Sequence, residues 1–468
     1  MSSALEAQAP GQALRSARRL IAPLALAQFI CSFAGSNMNV MIGDISHDLN
    51  TDVKGVQTVI TLFLLTMAIL MIPCSKLTDR WGRKRCLTMG LALFGVGALL
   101  SAIAPGLGVL IIGNSILEGV GTALLIPPVY ILATLWFTDM TSRAWAFGAI
   151  SGMGGIGAAA GPLIGGVIAT WIDWRAAFIF QALIVAIIVI LSRNLSDPLA
   201  ADPKRPFDLA GAVISAVGMF FIVIGILQAG VNNSLCVAFV VIGAALLLGF
   251  YLYIRRLERR GKEPLLSTGL FKNRVCNLAL VTQNLQWLIM MGTSFVISVY
   301  LQEVHGYSPI KTGLIFTSAT AGILITSFAA RGMAKRYSQR ALIAAGFLAA
   351  VVGLALMIPF VNTSQRTTAF LVGLFLFGLG VGMMLTPSVN VVQSSFPEEQ
   401  QGEISGLSRS VSNLGSSFGT AIAGTILVSA ISLGTTSYVV AMIVLVGFAV
   451  VGLGAALRLP AHAGQQES

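Results

Sequence analysis

This chain of 468 residues predicts an all-α integral membrane protein with fourteen spanning helices, and three observations carry the prediction. Hydrophobic residues make up 56% of it and charged residues only 10%, with a mean hydropathy of +0.86, far outside the range of soluble domains. Apolar runs of about 20 residues, the length that crosses a hydrocarbon layer of roughly 30 Å, recur from end to end. The 50 glycines suit helices that pack in lipid through small residues.

Taken in order, the predicted spans are 21–42, 55–74, 86–103, 107–130, 144–170, 176–192, 209–229, 234–254, 275–301, 310–330, 340–360, 367–390, 404–430 and 436–457. Arg15, Arg18 and Arg19 precede the first run in the manner of a signal peptide. That run reaches Ile42 with no small-x-small cleavage site followed by a soluble domain, so it is read as a retained helix with the N-terminus cytoplasmic. This orientation places 24 of the 29 Lys and Arg residues in the cytoplasm, leaving Lys54, Arg175, Lys311 and Arg366 outside and Arg409 near a helix start.

The longest interior loops, Arg193 to Asp208 and Arg255 to Arg274, bracket spans 7 and 8. The expected organisation is a six-helix bundle over 1–192, an inserted hairpin with its flanking loops over 193–274, and a second six-helix bundle with a short cytoplasmic tail over 275–468. The basic loop Arg331 to Arg340 echoes Ser75 to Lys84 in placement and basic charge but lacks the aspartate, as two related halves would.

Composition also excludes function classes. The net charge of +11 is spread over alternate loops, without a basic patch interleaved with aromatics, so no nucleic-acid partner is expected. Cys31, Cys74, Cys86, Cys236 and Cys276 form no CxxC pair, and His47, His305 and His462 are scattered; neither a disulfide framework nor a metal site is read from them. A formal GxGxxG at Gly152 to Gly157 lies inside an apolar run with no strand before it and is rejected as a dinucleotide site. No GxxxxGK[ST] occurs, so ion gradients remain as the energy source. No catalytic residue or cofactor is assigned; the expected partners are membrane lipid, a small-molecule substrate and protons, with the protein a monomer.

Two motifs stand out. Ser75 to Lys84 reads SKLTDRWGRK: Gly82 permits a tight reversal, and the basic residues Arg80, Arg83 and Lys84 hold the interface while Asp79 can pair with a basic neighbour. In span 5, Gly157, Gly161, Pro162, Gly165 and Gly166 leave a flat groove for close helix contact with a proline that frees a backbone acceptor. The first resembles the loop signature GxLaDrxGrk of the major facilitator superfamily, with Ser75 in place of the first glycine; the second resembles that family's antiporter motif gxxxGPxxGG. Further stretches, VQTVITLFLLTMA, WRAAFIF, FDLAGAV, EPLL and YLQEVHGYSPIKTGL, resemble the fourteen-helix drug:proton antiporter branch over nearly the whole chain. The resemblance implies a major facilitator fold, alternating access, and efflux of amphipathic or cationic organic compounds in exchange for protons at the cell membrane. It also implies that Asp79 latches the outward-open state against span 13, with Arg80, Gly82, Arg83, Lys84 and Arg409 around it.

Departures from the branch matter as much. The aspartate usual in its first helix falls at Ala34, and the arginine usual in its fourth falls at Ser115, with Glu118 in place of a glutamine. Glu118 lies about 16 Å from the start of span 4, near mid-membrane. An acid there is costly unless protonated, paired or wet, which marks it as functional by default. Asn114, Ser115, Glu118 and Thr122 form one polar stripe on a regular helix; Ser36, Asn37 and Asn39 form another in span 1, and Asn284, Gln286 and Trp287 a third in span 9. The expectation is that these stripes line a central cavity where Glu118 binds a proton or a cationic substrate; the alternative is a protonated acid that only holds helices together. Asp44, Asp48 and Asp52 are expected to be solvated, Arg409 to snorkel or to pair with Asp79, and Pro127 and Pro128 to bend span 4. Two other functions stay open: an uncoupled or atypically coupled carrier of a specific metabolite or lipid-like molecule, and a transporter-derived membrane sensor.

Overall fold

The computed structural model describes residues 10–137, 140–361, 367–396, 401–429 and 434–461. Arg366 and His462 lie outside the described residues, as do the side chains of Arg15, Arg18, Arg143, Arg331 and Lys335. Among the described residues, fourteen helices are long and apolar enough to cross a membrane: α1 Arg19–Asp48, α2 Val53–Trp81, α3 Arg83–Ala102, α4 Leu107–Trp136, α5 Trp145–Trp171, α6 Trp174–Ser192, α7 Leu209–Gln228, α8 Asn233–Arg259, α9 Arg274–Val304, α10 Pro309–Ala329, α11 Gln339–Phe360, α12 Phe370–Ser394, α13 Glu403–Ser429 and α14 Thr436–Leu457. Each contains or overlaps one of the fourteen apolar runs. The largest extension is at α2, which continues past position 74 to Trp81 and so takes the first part of the motif read as a loop into the helix; α1 passes through a 3₁₀ turn at Met38–Met41 and continues as Ile42–Asp48.

Helix ends follow local chemistry. Asp52, exposed as expected, also accepts from Gly55 N at 2.8 Å and so caps α2. Asp173, Asn232, Asn273 and Ser338 cap α6, α8, α9 and α11 in the same way. Asp208 caps α7 and also accepts from Tyr253 Oη of α8 at 3.0 Å and from Leu265 N at 3.1 Å. One carboxylate therefore ties the α7–α8 hairpin to the loop that follows it. Pro127 and Pro128 lie within the helical segment Gly119–Trp136.

Polar backbone is satisfied within helices, leaving packing to small residues. A methyl group at Gly90 or Gly97 of α3 would lie 2.8 or 2.6 Å from the carbonyl oxygens of Gly121 and Gly113 in α4. Gly346 and Gly353 of α11 meet the carbonyl oxygens of Gly380 and Gly373 in α12 at 2.6 Å in the same sense. The same helix pair in each half is thus closed by the same device, the physical form of the repeat. Leu183, Ile190, Val237, Val241, Leu248 and Val451 point outward and are exposed, as side chains facing lipid do.

Candidate functional site

The loops rich in Lys and Arg lie at one end of the bundle, here called the basic face. Across the middle, the first six and the last six helices meet along two seams. In the first, α2 packs against α13: Gln57 Nε2 donates to Ala421 O at 3.1 Å, Ser417 Oγ donates to Thr61 O at 3.1 Å, and Ser410 Oγ donates to Ala68 O. At the basic end of this seam Lys76 pairs with Glu403.

The second seam joins α5 to α10. Ile310 N donates to Thr170 Oγ1 and Thr320 Oγ1 to Ala159 O, both at 2.9 Å. Added methyl groups at Gly166 and Gly313 would strike Pro309 O at 2.5 Å and Pro162 O at 2.4 Å. Gly152 and Gly155 continue this face of α5 toward the basic end at helical spacing, yet a methyl group on either would meet no atom within 4 Å. The seam is therefore shut over its half remote from the basic face and parted over the nearer half. At the remote end, Gln302 of α9 also joins α1, accepting from Gly43 N and donating to Asn39 O, each at 2.9 Å.

The antiporter-motif glycines divide between two neighbours. Gly157, Gly161 and Gly165 face α1, where added methyl groups would lie 2.3 Å from Phe29 O, 2.0 Å from Ser36 Oγ and 3.0 Å from Asn37 Cβ. Pro162 and Gly166 face α10. Ser36 and Asn37 are thereby buried under α5 instead of forming an open stripe, and among the described residues neither polar side-chain atom of Asn37 has a partner. Asn39 is buried as well, held beside Gln302.

The α4 stripe separates in three directions. Residues Ile111–Glu118 form a π-helical segment, whose wider turns move side chains off the spacing of a regular helix. Ser115 Oγ donates to Val59 O of α2 at 2.8 Å. Thr122 lies against Cys31 of α1. Glu118, fully buried, turns to α3, where Ser101 Oγ lies 3.4 Å from Oε1, while Asn114 Nδ2 of α4 itself lies 3.3 Å from Oε2. Among the described residues no cation pairs with it. In α9, Asn284 donates to Val411 O of α13 at 2.9 Å, Gln286 accepts from Ser388 of α12 at 2.7 Å, and Trp287 is half-buried beside them.

The motif loop and Arg409 part company. Asp79 binds Arg83 Nη2 and Arg205 Nη1, both at 2.7 Å, so the pairing with Arg409 read from the sequence is not made; the loop 193–208 folds under the motif and supplies Arg205 instead. Asp197 accepts from Arg83 N at 2.6 Å, beside Gly82, which turns the chain at φ +91°. Lys84 Nζ donates to Arg193 O at 2.9 Å. Lys76 reaches both Glu403 and, at 3.1 Å, Glu263. Arg80 stands in the last turn of α2 and is half-buried. At the remote face, Asp48 is likewise not merely solvated: it pairs with Arg175 and accepts from Trp174 Nε1 at 3.2 Å.

Arg409 instead lies over the ring of Tyr130 in α4, 4.9 Å from its centroid, and donates to its hydroxyl. That hydroxyl donates to Gln28 Oε1 at 3.3 Å, and Gln28 Nε2 donates to Ser32 Oγ at 3.2 Å. A polar chain so crosses from α13 through α4 to α1. Tyr130 and Gln28 carry no motif or stripe in the sequence; only the meeting of three helices singles them out.

The sequence profile described as Major Facilitator Superfamily matches residues 24–420 and 279–467. The chain belongs to this family. Among its relatives, the multidrug efflux pump LfrA of Mycolicibacterium smegmatis is 30% identical over 407 residues, covering 87% of this chain and 80% of LfrA. The puromycin resistance protein Pur8 of Streptomyces alboniger is 29% identical over 405 residues, with coverages of 86% and 80%. A solved structure of the peptide transporter POT in complex with alafosfalin superimposes at a TM-score of 0.70, with 16% identity over 95% of this chain and 96% of that one. This Major Facilitator Superfamily protein is thus a multi-pass membrane transporter and not an enzyme.

Proposed function

We propose that this transporter exports amphipathic organic compounds from the cytoplasm across the cell membrane in exchange for protons. The single observation that carries the reading is the asymmetry of the α5–α10 seam, shut by Gly166 and Gly313 at one end and open at Gly152 and Gly155 at the other. With the basic loops cytoplasmic, as charge bias favours, this is an inward-facing arrangement, the one that loads an efflux substrate. The efflux and resistance proteins among its relatives support the same direction. Rocking of residues 1–192 against 275–468 about the glycine contacts, with 193–274 alongside, would then expose the cavity to the other face. In this reading Asp79, Arg80, Gly82, Arg83 and Lys84 hold the cytoplasmic end.

Protons are the proposed coupling ion, and Glu118 their carrier. It is the one Asp or Glu in the central part of a span, and its position between α3 and α4 supports a proton route beside the substrate path. The test is transport by purified protein in liposomes under an imposed pH gradient, wild type against Glu118→Gln. The variant is expected to lose gradient-driven accumulation. Unchanged gradient dependence in the variant removes Glu118 from the mechanism, and the lack of any gradient-driven transport by wild type removes the antiport reading. Glu118 facing α3 and not the seam favours one second reading, an uncoupled carrier, which the same wild-type measurement distinguishes.

A further inference from the structure

At about 9 Å from the basic ends of α4 and α13, six residues at 1.5 Å each, the interface between the halves carries a cation whose contacts are neutral. Arg409 binds the hydroxyl and the ring face of Tyr130, and among the described residues no carboxylate pairs with it. Among the described residues only part of its five-donor fork is used. The platform beneath is built from three helices: Tyr130 stacks on Phe147 of α5 with centroids 5.6 Å apart and planes 17° off parallel, and its hydroxyl is held by Gln28 of α1. Phe147 stands on the same helix as Gly152 and Gly155, beside the parted half of the seam.

A charge inside a membrane bundle is costly and is kept for a partner or a function. A half-buried guanidinium with free donors above an aromatic face is suited to a planar oxyanion, which it holds through parallel hydrogen bonds while the ring supports the adjoining apolar group. Among the described residues the one acid in the central part of a span, Glu118, is enclosed between α3 and α4 and does not face this platform.

We propose that Arg409, backed by Tyr130 and Gln28, is the subsite for the negatively charged group of a carboxylate- or sulfonate-bearing amphipathic cargo. The proposal rests on the efflux reading of the same passage and sets the charge class of its substrates.

Two dyes on one xanthene frame test it: fluorescein, anionic at neutral pH, and rhodamine 123, its cationic ester counterpart. Equilibrium binding to purified wild-type protein is expected to favour fluorescein at least tenfold. Arg409→Gln should abolish the preference and Arg409→Lys, which keeps the charge but not the fork, should leave part of it. Wild-type binding of both dyes within threefold, a preference for rhodamine 123, or a preference that survives in Arg409→Gln overturns the assignment. The wild-type comparison needs no variant and stands even if a substitution prevents folding. Gradient-driven transport of rhodamine 123 without binding of fluorescein defeats this proposal and leaves the efflux reading intact, whereas failure of every organic probe to move defeats the efflux reading itself.

Discussion

Gln302 in α9 and Gly43 in α1 are joined by a 2.9 Å hydrogen bond across 259 residues of chain, with the Gln302 amide turned so that it also donates to Asn39 O. One side chain thereby satisfies an N–H and a C=O where α1 passes through its 3₁₀ turn. Gln302→Ala leaves both groups without that partner, at a cost of about 1–3 kcal/mol for the closed remote face. The measurable outcome is exposure of Ile42, fully buried here. A thiol placed there by Ile42→Cys should label faster in the Gln302→Ala background, and equal labelling rates would show that the clamp does not hold the face shut.

The glycines of α5 should divide by what they face. At Gly157 an added methyl meets a backbone carbonyl oxygen, Phe29 O, at 2.3 Å, while at Gly152 it meets nothing within 4 Å. Gly157→Ala is expected to destabilise by about 1–3 kcal/mol through overpacking, and Gly152→Ala to be neutral or slightly stabilising. Thermal unfolding in one detergent compares the two directly.

Gly166→Ala acts on balance more than on folding. Its methyl would press on Pro309 O at 2.5 Å, a contact made only while the remote half of the α5–α10 seam is shut. The variant should populate the remote-open arrangement, seen as faster labelling of a Thr170→Cys thiol, with a smaller loss of stability than Gly157→Ala.

At the basic face, Lys76 lies between Glu403 of α13 and Glu263 of the loop after α8, with side-chain exposures of 13%, 21% and 38%. A double-mutant cycle with Lys76→Met and Glu403→Gln should give a coupling of about 1 kcal/mol, modest because solvent screens partly exposed pairs. The coupling should shrink in high salt. A value near zero would mean that this contact does not join α2 to α13.

Restoring the arginine usual at position 115 should not restore coupling. Ser115 is fully buried and donates to Val59 O, so Ser115→Arg inserts a long charged side chain where α4 touches α2. A cost of about 3 kcal/mol or more follows from overpacking and an unpaired buried charge. The readout is loss of monodisperse folded protein, with Ser115→Ala as the mild control.

Sequence alone carried the class and the number of helices, because crossing lipid demands long apolar runs, and the family through the resemblance of its motifs; it marked the turn at Gly82, a local requirement. It also marked the glycines of α5 as contact points. Which neighbour each polar side chain meets was decided elsewhere. The α4 stripe assumed a regular helix, and the π turn at Ile111–Glu118 sent Ser115 to α2 and Glu118 to α3. Asp79 pairs with its basic neighbour Arg83 as its sequence suggested, but its second partner is Arg205 and not Arg409, because Arg205, 126 positions away, is brought beneath it only when the loop 193–208 folds. Tyr130, Gln28 and Arg409 become one chain only where α1, α4 and α13 converge. Period and composition describe a helix by itself; the partners of its polar atoms depend on how helices rotate and approach, and in lipid glycine-to-backbone contacts set that approach.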